Sequence, residues 1–196
     1  PADNGFAITS YQIDKSVDGG ITWTQLTSGN VNTTQDTGLT NGTSYQYRVS
    51  STNVVGTSSY STTGIIIAGD IPGAVTNTAG TTQSDTQINL TWTAAAPNGY
   101  PVTGHVIEQS LDNITWNVIV ADTQTAQASH TVSGLTTQTD YYYRVSAINP
   151  LGTGAISNTV QLHTFGPPDA IGTVTATATS ASVTLSWAAP YDHGSP

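Results

Sequence analysis

Four histidines and a single glutamate are the side chains best suited to acid–base or metal chemistry in this chain of 196 residues. His105, His130, His163 and His193 have no second ligand at metal-site spacing, so we expect ordinary strand and loop positions for them. Glu108 follows an apolar residue on an alternating strand and should point into solvent. No Gly-x-Ser-x-Gly turn is present to expose a nucleophilic serine. We therefore predict a protein that is not an enzyme and has no catalytic residue, metal site or cofactor.

Two aspartates recur beside prolines at corresponding places in the chain. Asp70 precedes Pro72, and Asp169 follows Pro168. One interpretation is local, with the carboxylate accepting hydrogen bonds from nearby backbone N–H groups in a turn. The alternative is a shared Ca²⁺, which would need several oxygen ligands at about 2.3–2.6 Å. We favour the turn over the metal.

One aromatic residue stands in each of three corresponding loops, at Phe6, Tyr100 and Tyr191. The simplest interpretation is that each ring covers the end of its own domain. A functional interpretation is a contact with an adjoining module, or stacking of the ring against a sugar.

Asn-x-Thr sequences, the acceptors for N-glycosylation, occur at Asn32, Asn41, Asn89 and Asn113. In a chain this rich in threonine, several such sequences arise by chance. They have meaning only if the source glycosylates its secreted proteins, and Asn89 is then the best placed because it lies on the outer side of a strand.

Charged residues are few, and most of them are acidic. Twelve Asp and Glu stand against Lys15, Arg48 and Arg144, so the net charge is −9, and only 8% of residues are charged. Three cations cannot neutralise the phosphates of a nucleic acid or bind an anionic membrane surface. Cysteine is absent, which excludes disulfides and thiolate metal sites, and no apolar run approaches the about 20 residues of a membrane span. We predict no nucleic-acid partner and no membrane insertion in this segment.

The elements that carry these residues are predicted to be β-strands. Apolar and polar residues alternate with a period of two in many short segments, of which Ile88–Trp92 is one. Similar segments return after about 95 residues, a period that corresponds to one small domain. Residues 39–50 resemble 135–146, and residues 88–92 resemble 183–187. The sequence therefore predicts an all-β tandem array.

These residues resemble tandem fibronectin type III modules, which are immunoglobulin-like β-sandwiches. The middle of the chain has a proline-led first strand, a second strand ending in tryptophan, and a Pro-Asn-Gly loop. The Leu135–Tyr141 spacing, repeated at Leu39–Tyr45, is similar to the tyrosine corner, in which the phenol hydroxyl bonds backbone a few residues upstream. The resemblance implies corner roles for Tyr45 and Tyr141, and core positions for Trp92 and Trp187.

In this comparison only the central module, residues 70–165, is complete. Residues 1–69 correspond to a module without its first two strands, A and B, and residues 166–196 correspond to strands A and B of a further module. Two explanations stay open: a window cut from a longer array, or strand complementation in which 166–196 of one copy completes 1–69 of the next. Short joints containing proline predict a semi-rigid rod in either case.

The combination predicts a structural or interaction protein. It would be part of a secreted or cell-surface stalk, adhesin or extracellular filament, with neighbouring modules or copies of itself as partners. The second hypothesis is a spacer or weak glycan-binding region beside the catalytic domain of a secreted carbohydrate-active enzyme. Both hypotheses imply a location outside the cell or at its surface.

Overall fold

The computed structural model describes residues 5–192, and every regular element in that range is a β-strand, which confirms the all-β prediction. Within that range there is no helix with the length and apolar character needed to cross a membrane. The chain divides into two compact units. Unit 1 comprises Pro1–Ile71, Pro97–Pro101 and Asn149–Leu151, and unit 2 comprises Pro72–Ala96, Val102–Ile148 and Gly152–Pro196.

Unit 1 is built on one antiparallel sheet. Its strands are β1 (Ser10–Ser16), β2 (Thr24–Gly29), β3 (Ser44–Thr52), β4 (Ser61–Thr62) and β5 (Ile66–Ile67). Their order is β2-β1-β3-β4, and β5 also pairs with β3. Tyr45 and Val49 share one face of β3, but Tyr45 is 6% exposed whereas Val49 is 37% exposed. The apolar face of this sheet is therefore only partly covered.

Unit 2 contains a sandwich of two antiparallel sheets and a separate hairpin. The sandwich strands are β6 (Thr76–Thr82), β7 (Gln87–Thr93), β8 (Gly104–Ser110), β9 (Asn117–Val120), β10 (Ser129–Ser133), β11 (Asp140–Asn149), β12 (Gly152–Thr153) and β13 (Val160–His163). One sheet has the order β10-β7-β6. The other has the order β12-β11-β8-β9, with β13 also paired to β11.

The core of the sandwich follows from the alternation in the sequence. Ile88, Leu90 and Trp92 point inward from β7, as the period of two predicts, and they meet Ile107 and Tyr143 from the other sheet. Each fully buried aliphatic or aromatic side chain of this kind contributes about 1.5–3 kcal/mol. This single cluster is therefore the main source of stability of the sandwich.

A glycine allows strand β13 to close the edge of this core. A Cβ added to Gly80 on β6 would lie 2.5 Å from Cδ1 of Leu162 and 2.9 Å from the Asn89 carbonyl oxygen, so a side chain at that position would force its neighbours to shift. The glycine thus lets Leu162 pack against the core. Nearby, the Thr82 hydroxyl donates to the His163 carbonyl at 2.6 Å and ties β6 to β13.

The last two strands, β14 (Thr175–Ala178) and β15 (Val183–Ser186), form a hairpin on their own. Every residue of both strands is exposed. Trp187, which we expected in a core, is 54% exposed. That expectation is wrong for this chain because a two-stranded hairpin has only one layer, and among the described residues no second sheet covers the ring.

Candidate functional site

One arginine in unit 2 is held between a carboxylate and a tryptophan. Arg144 on β11 faces Glu108 on β8 and donates to it from Nε and Nη2, at 2.7 and 3.0 Å. The guanidinium carbon also lies 4.2 Å from the centre of the Trp116 ring. Glu108 does not point into open solvent as the alternation predicted, and its side chain is only 19% exposed. The reason is the bidentate pair with the arginine directly across the sheet.

Unit 1 has the corresponding cluster. Arg48 Nε donates to Asp14 Oδ2 at 2.8 Å, and its guanidinium carbon lies 4.5 Å from the centre of the Trp23 ring and 4.0 Å from that of Tyr60. Burial alone would raise the pKa of Asp14, but hydrogen bonds from Gln12 and Arg48 outweigh it and hold the pKa below its ordinary value. The carboxylate is therefore charged and bound to the arginine.

Sequence reasoning did not find these acid–arginine–tryptophan clusters. A signal was available, because all three members of one cluster recur in the other at the period of about 95 residues. The third cation, Lys15, lies 2.9 Å from Asp36. All three basic side chains of the sequence are thus bound to carboxylates.

An aspartate shapes each of two equivalent hairpin turns. In unit 1, the hydroxyl and N–H of Thr22 donate to Asp18 and lower its pKa to about 2. In unit 2, the N–H groups of Thr115 and Ile114 donate to Asp112 at 2.7 and 2.8 Å, and they lower its pKa to about 2. These carboxylates are hydrogen-bond acceptors that fold the turn, and they are too acidic to act as bases near neutral pH.

Both tyrosines at the expected corner positions bond to backbone upstream. The Thr40 N–H donates to the Tyr45 hydroxyl at 3.0 Å in unit 1. The Thr136 N–H donates to the Tyr141 hydroxyl at 2.9 Å in unit 2. Both tyrosines are 6% exposed, so the rings belong to the core while the hydroxyls fix the preceding loop.

The histidines are placed as parts of strands. His105 is 1% exposed and packs edge-on against Trp92, with ring centres 4.9 Å apart. Burial lowers its pKa, so the ring is neutral near pH 7. His163 Nδ1 lies 2.9 Å from an Asp140 oxygen, His130 lies on β10, and His193 falls outside the described residues.

The residues considered for a metal stay apart. Between residues 5 and 192, no group of three or more His, Asp or Glu comes close enough together to hold an ion. The Asp70 carboxylate accepts the Ile71 N–H at 2.7 Å, which is the local turn contact. The Asp169 N–H donates to the Tyr191 carbonyl at 3.0 Å.

The three loop aromatics have different environments. Tyr100 donates from its hydroxyl to the Ile67 carbonyl at 3.0 Å, and its ring lies so close to Gly69 that an added Cβ would be 2.6 Å from Cδ2. Both contacts lie within unit 1. Phe6 is 52% exposed and Tyr191 is 66% exposed. Of the three rings, those of Phe6 and Tyr191 are therefore exposed, whereas Tyr100 is held by contacts within unit 1.

The four glycosylation acceptors also differ in accessibility. Asn32, Asn41 and Asn113 are exposed, and Asn113 has a φ of 59° in the hairpin turn. Asn89 is half-buried, and its side-chain oxygen accepts the Thr131 hydroxyl at 3.3 Å. The position that looked best from the strand pattern is thus the most hindered of the four.

Unit 1 contains an apolar cavity of about 650 Å³. Its lining includes Tyr11, Ile13, Leu26, Tyr47, Val49 and Ile66. Residues 33–36 form one wall and are not part of a strand. Among the described residues that line the cavity there is no metal-ligand cluster, and its walls include the apolar face that the sheet of unit 1 leaves partly open.

Known proteins share this fold and parts of this sequence. Chitinase A1 of Niallia circulans is 32% identical over 136 residues, which are 65% of this chain and 18% of that protein. Protein sidekick-2 of Mus musculus is 28% identical over 109 residues, 53% of this chain and 5% of that protein. The chain thus spans less than a fifth of either relative. The crystal structure of domains A168-A170 from titin matches 78% of this chain with a TM-score of 0.55 at 21% identity, and 53% of that chain is covered.

The match to a family model is confined to the central module. The model for the fibronectin type III domain matches residues 73–163. That range holds the two-sheet sandwich, its buried tryptophan and its tyrosine corner. The central module, residues 73–163, thus matches the fibronectin type III domain.

Proposed function

We propose that this chain is a non-enzymatic segment of a secreted or cell-surface array of β-sandwich modules, serving as a stalk, adhesin or extracellular filament. The observation that carries the proposal is the use of its ionisable side chains. The acid–arginine–tryptophan cluster and the aspartate turn each occur in both units, and every one of these contacts stabilises the fold. Conservation of such contacts between units is what a repeated structural module requires.

The cavity of unit 1 supports the same proposal. Active sites combine an apolar pocket with a few convergent polar groups of perturbed pKa. The charged group at this cavity is Asp36, and although burial raises its pKa, hydrogen bonds from Lys15 and Tyr47 bring it below the ordinary value. A carboxylate bound in this way is a structural anion. The space is therefore better suited to packing than to catalysis.

Assembly of copies head to tail, by strand complementation, is part of the proposal. The partners would be neighbouring modules or other copies of the chain, without nucleic acid or membrane. The uniformly acidic balance, with a net charge of −9, favours solubility outside the cell and disfavours polyanionic partners.

A second candidate is a spacer or weak glycan-binding region of a secreted carbohydrate-active enzyme. The similarity to a chitinase over 65% of this chain favours it. Of the three loop aromatics, Phe6 and Tyr191 have exposed rings that could stack on a sugar.

Incubation of the full chain with insoluble chitin tests both candidates. We expect no release of soluble sugar and no more retention on chitin than for Tyr191→Ala. The matched control is Leu111→Ala, which removes an exposed apolar side chain from a hairpin turn. Retention that is lost in Tyr191→Ala and kept in Leu111→Ala would support the glycan-binding candidate. Cleavage of chitin by the purified chain would overturn the proposal of a non-enzymatic role.

A further inference from the structure

We propose that the cavity of unit 1 binds the β14–β15 hairpin of a second copy of this chain, and that β15 pairs there with residues 33–37. This inference rests on the proposed array function and gives its head-to-tail contact a defined register. It treats the central sandwich as a template, since both the hairpin and unit 1 correspond to parts of that sandwich.

The hairpin repeats the apolar positions of β6 and β7 but exposes them. In the central sandwich, Ile88 and Leu90 are 0% exposed and Trp92 is 7% exposed. The corresponding residues of the hairpin, Val183, Leu185 and Trp187, are 64%, 55% and 54% exposed. These three positions carry side chains that a core needs, and within residues 5–192 no core forms around them.

In unit 1, the apolar side chains that a second sheet would cover line an open cavity instead. In the central sandwich, Tyr143 and Val145 are 0% and 1% exposed beneath β7. Their counterparts in unit 1, Tyr47 and Val49, line the open cavity, and Val49 is 37% exposed. The apolar surface missing from unit 1 is thus the surface that β7 supplies in unit 2.

The backbone segment at the same place in unit 1 belongs to no strand. Residues 129–133 form β10 because they pair with β7, and the equivalent residues 33–37 are not in a strand. Both segments are followed by Gly-Leu and by the tyrosine corner, so the correspondence has no gap. An extended segment without a partner is a template for strand addition.

The template fixes the register. In the central sandwich, His130 faces Leu90, Thr131 faces Asn89 and Val132 faces Ile88. Transferred to the proposed contact, Thr34 faces Leu185, Gln35 faces Thr184 and Asp36 faces Val183. A shift by one residue would turn Leu185 and Trp187 away from the cavity, so the register is strongly specified.

Charge favours the hairpin as the occupant. Residues 170–190 contain no charged side chain. Their entry into the apolar cavity leaves no ion without solvent, and Asp36 in the wall is already bound to Lys15 at 2.9 Å. Trp187 would take the place of Trp92, whose partner His105 corresponds to Tyr11 in the cavity lining.

Cysteine cross-linking tests the register cleanly, because the chain has no cysteine of its own. The full chain carrying Gln35→Cys and Thr184→Cys should form a ladder of covalent multimers under mild oxidation. The matched control carries Gln35→Cys with Thr177→Cys. Thr177 is on β14, one strand further away, at about 9–10 Å and beyond the about 7 Å reach of a disulfide. We expect at least a tenfold weaker ladder from the control.

Each other outcome overturns the inference in a recognisable way. A cross-linked product with the mass of one chain would mean that the hairpin closes on its own copy. Equal ladders from both pairs would mean that the chains associate without the register. No ladder from a chain that sedimentation shows to be monomeric at all concentrations would mean that another segment fills the cavity.

A charge placed in the hairpin provides a second, independent measurement. Val183→Asp should abolish concentration-dependent association of the full chain, because it would bury an unpaired carboxylate beside Asp36. The Thr184→Asp control, on the outer side of β15, should associate with less than a tenfold change. Loss of association in both variants, or in neither, would contradict the proposed contact. The non-enzymatic role is tested separately on chitin: a monomeric chain that neither binds nor cleaves chitin would leave a non-enzymatic array of modules standing, while head-to-tail assembly and this inference fail.

Discussion

The tyrosine corner of the central module gives the sharpest test of the stability argument. Tyr141→Phe removes only the hydroxyl that accepts the Thr136 N–H at 2.9 Å, and the ring stays in the core. A hydrogen bond contributes about 0.5–1.5 kcal/mol, and a donor left unpaired costs about 1–3 kcal/mol. Because Thr136 is an exposed residue, water replaces part of the lost contact. We therefore expect the variant to be less stable by about 1–1.5 kcal/mol.

Calorimetry of the full chain measures this loss. For a module of this size, each kcal/mol lowers the melting temperature by about 4–8 °C, so the transition of unit 2 should fall by about 4–12 °C. Hydrogen exchange at the Thr136 amide should also accelerate. The control is Tyr142→Phe, one residue along β11, where the side chain points to the other face and a change below about 0.5 kcal/mol is expected. If Tyr141→Phe and Tyr142→Phe have the same melting temperature, the corner hydroxyl contributes nothing to stability and the reasoning fails.

Three further predictions concern unit 2. Hydrogen bonds lower the pKa of Asp112 to about 2, so the turn should lose stability as the pH falls from about 4 towards 2. Asp112→Asn should make this pH dependence smaller, as measured by NMR of the amide resonances of the turn. Burial lowers the pKa of His105, so the unfolded chain binds more protons below about pH 6.5 and stability should decrease with acidification. His105→Tyr should reduce that slope in denaturant titrations at pH 7.5 and pH 5, and an unchanged slope would contradict the role given to the ring. Arg144→Ala should lower the free energy of unfolding by about 1–2 kcal/mol through the lost ion pair and ring contact. Arg144→Lys should restore less than half of this loss, and full restoration by lysine would exclude the bidentate, stacked geometry.

The fold was predictable from local pattern because a period of two and a repeat of about 95 residues are written directly in the sequence. The inward positions on β7 and the corner spacing before Tyr141 follow from that pattern. Both depend on contacts that a single module makes within itself.

Environment explains what the pattern missed. Trp187 occupies the same place in its strand as Trp92, but burial requires a second sheet, and residues near Trp187 cannot encode where that sheet is. Glu108 alternates outward correctly, yet its exposure depends on Arg144 across the sheet and on Trp116 beyond it. Contacts between residues distant in sequence can be found by comparing the repeats. Here the members of the two acid–arginine–tryptophan clusters recur at the same period, so the sequence contained that signal.

The pairing of all three basic side chains has an electrostatic consequence for crowding. Because Lys15, Arg48 and Arg144 are bound to carboxylates, nothing cationic is left to offset the remaining net charge of −9. Two chains that approach at low ionic strength therefore repel over several nanometres, and at about 0.15 M salt the Debye length falls to about 8 Å. Dilute buffer should keep copies apart in spite of their exposed apolar side chains. Added salt should screen this repulsion and let them come within contact distance.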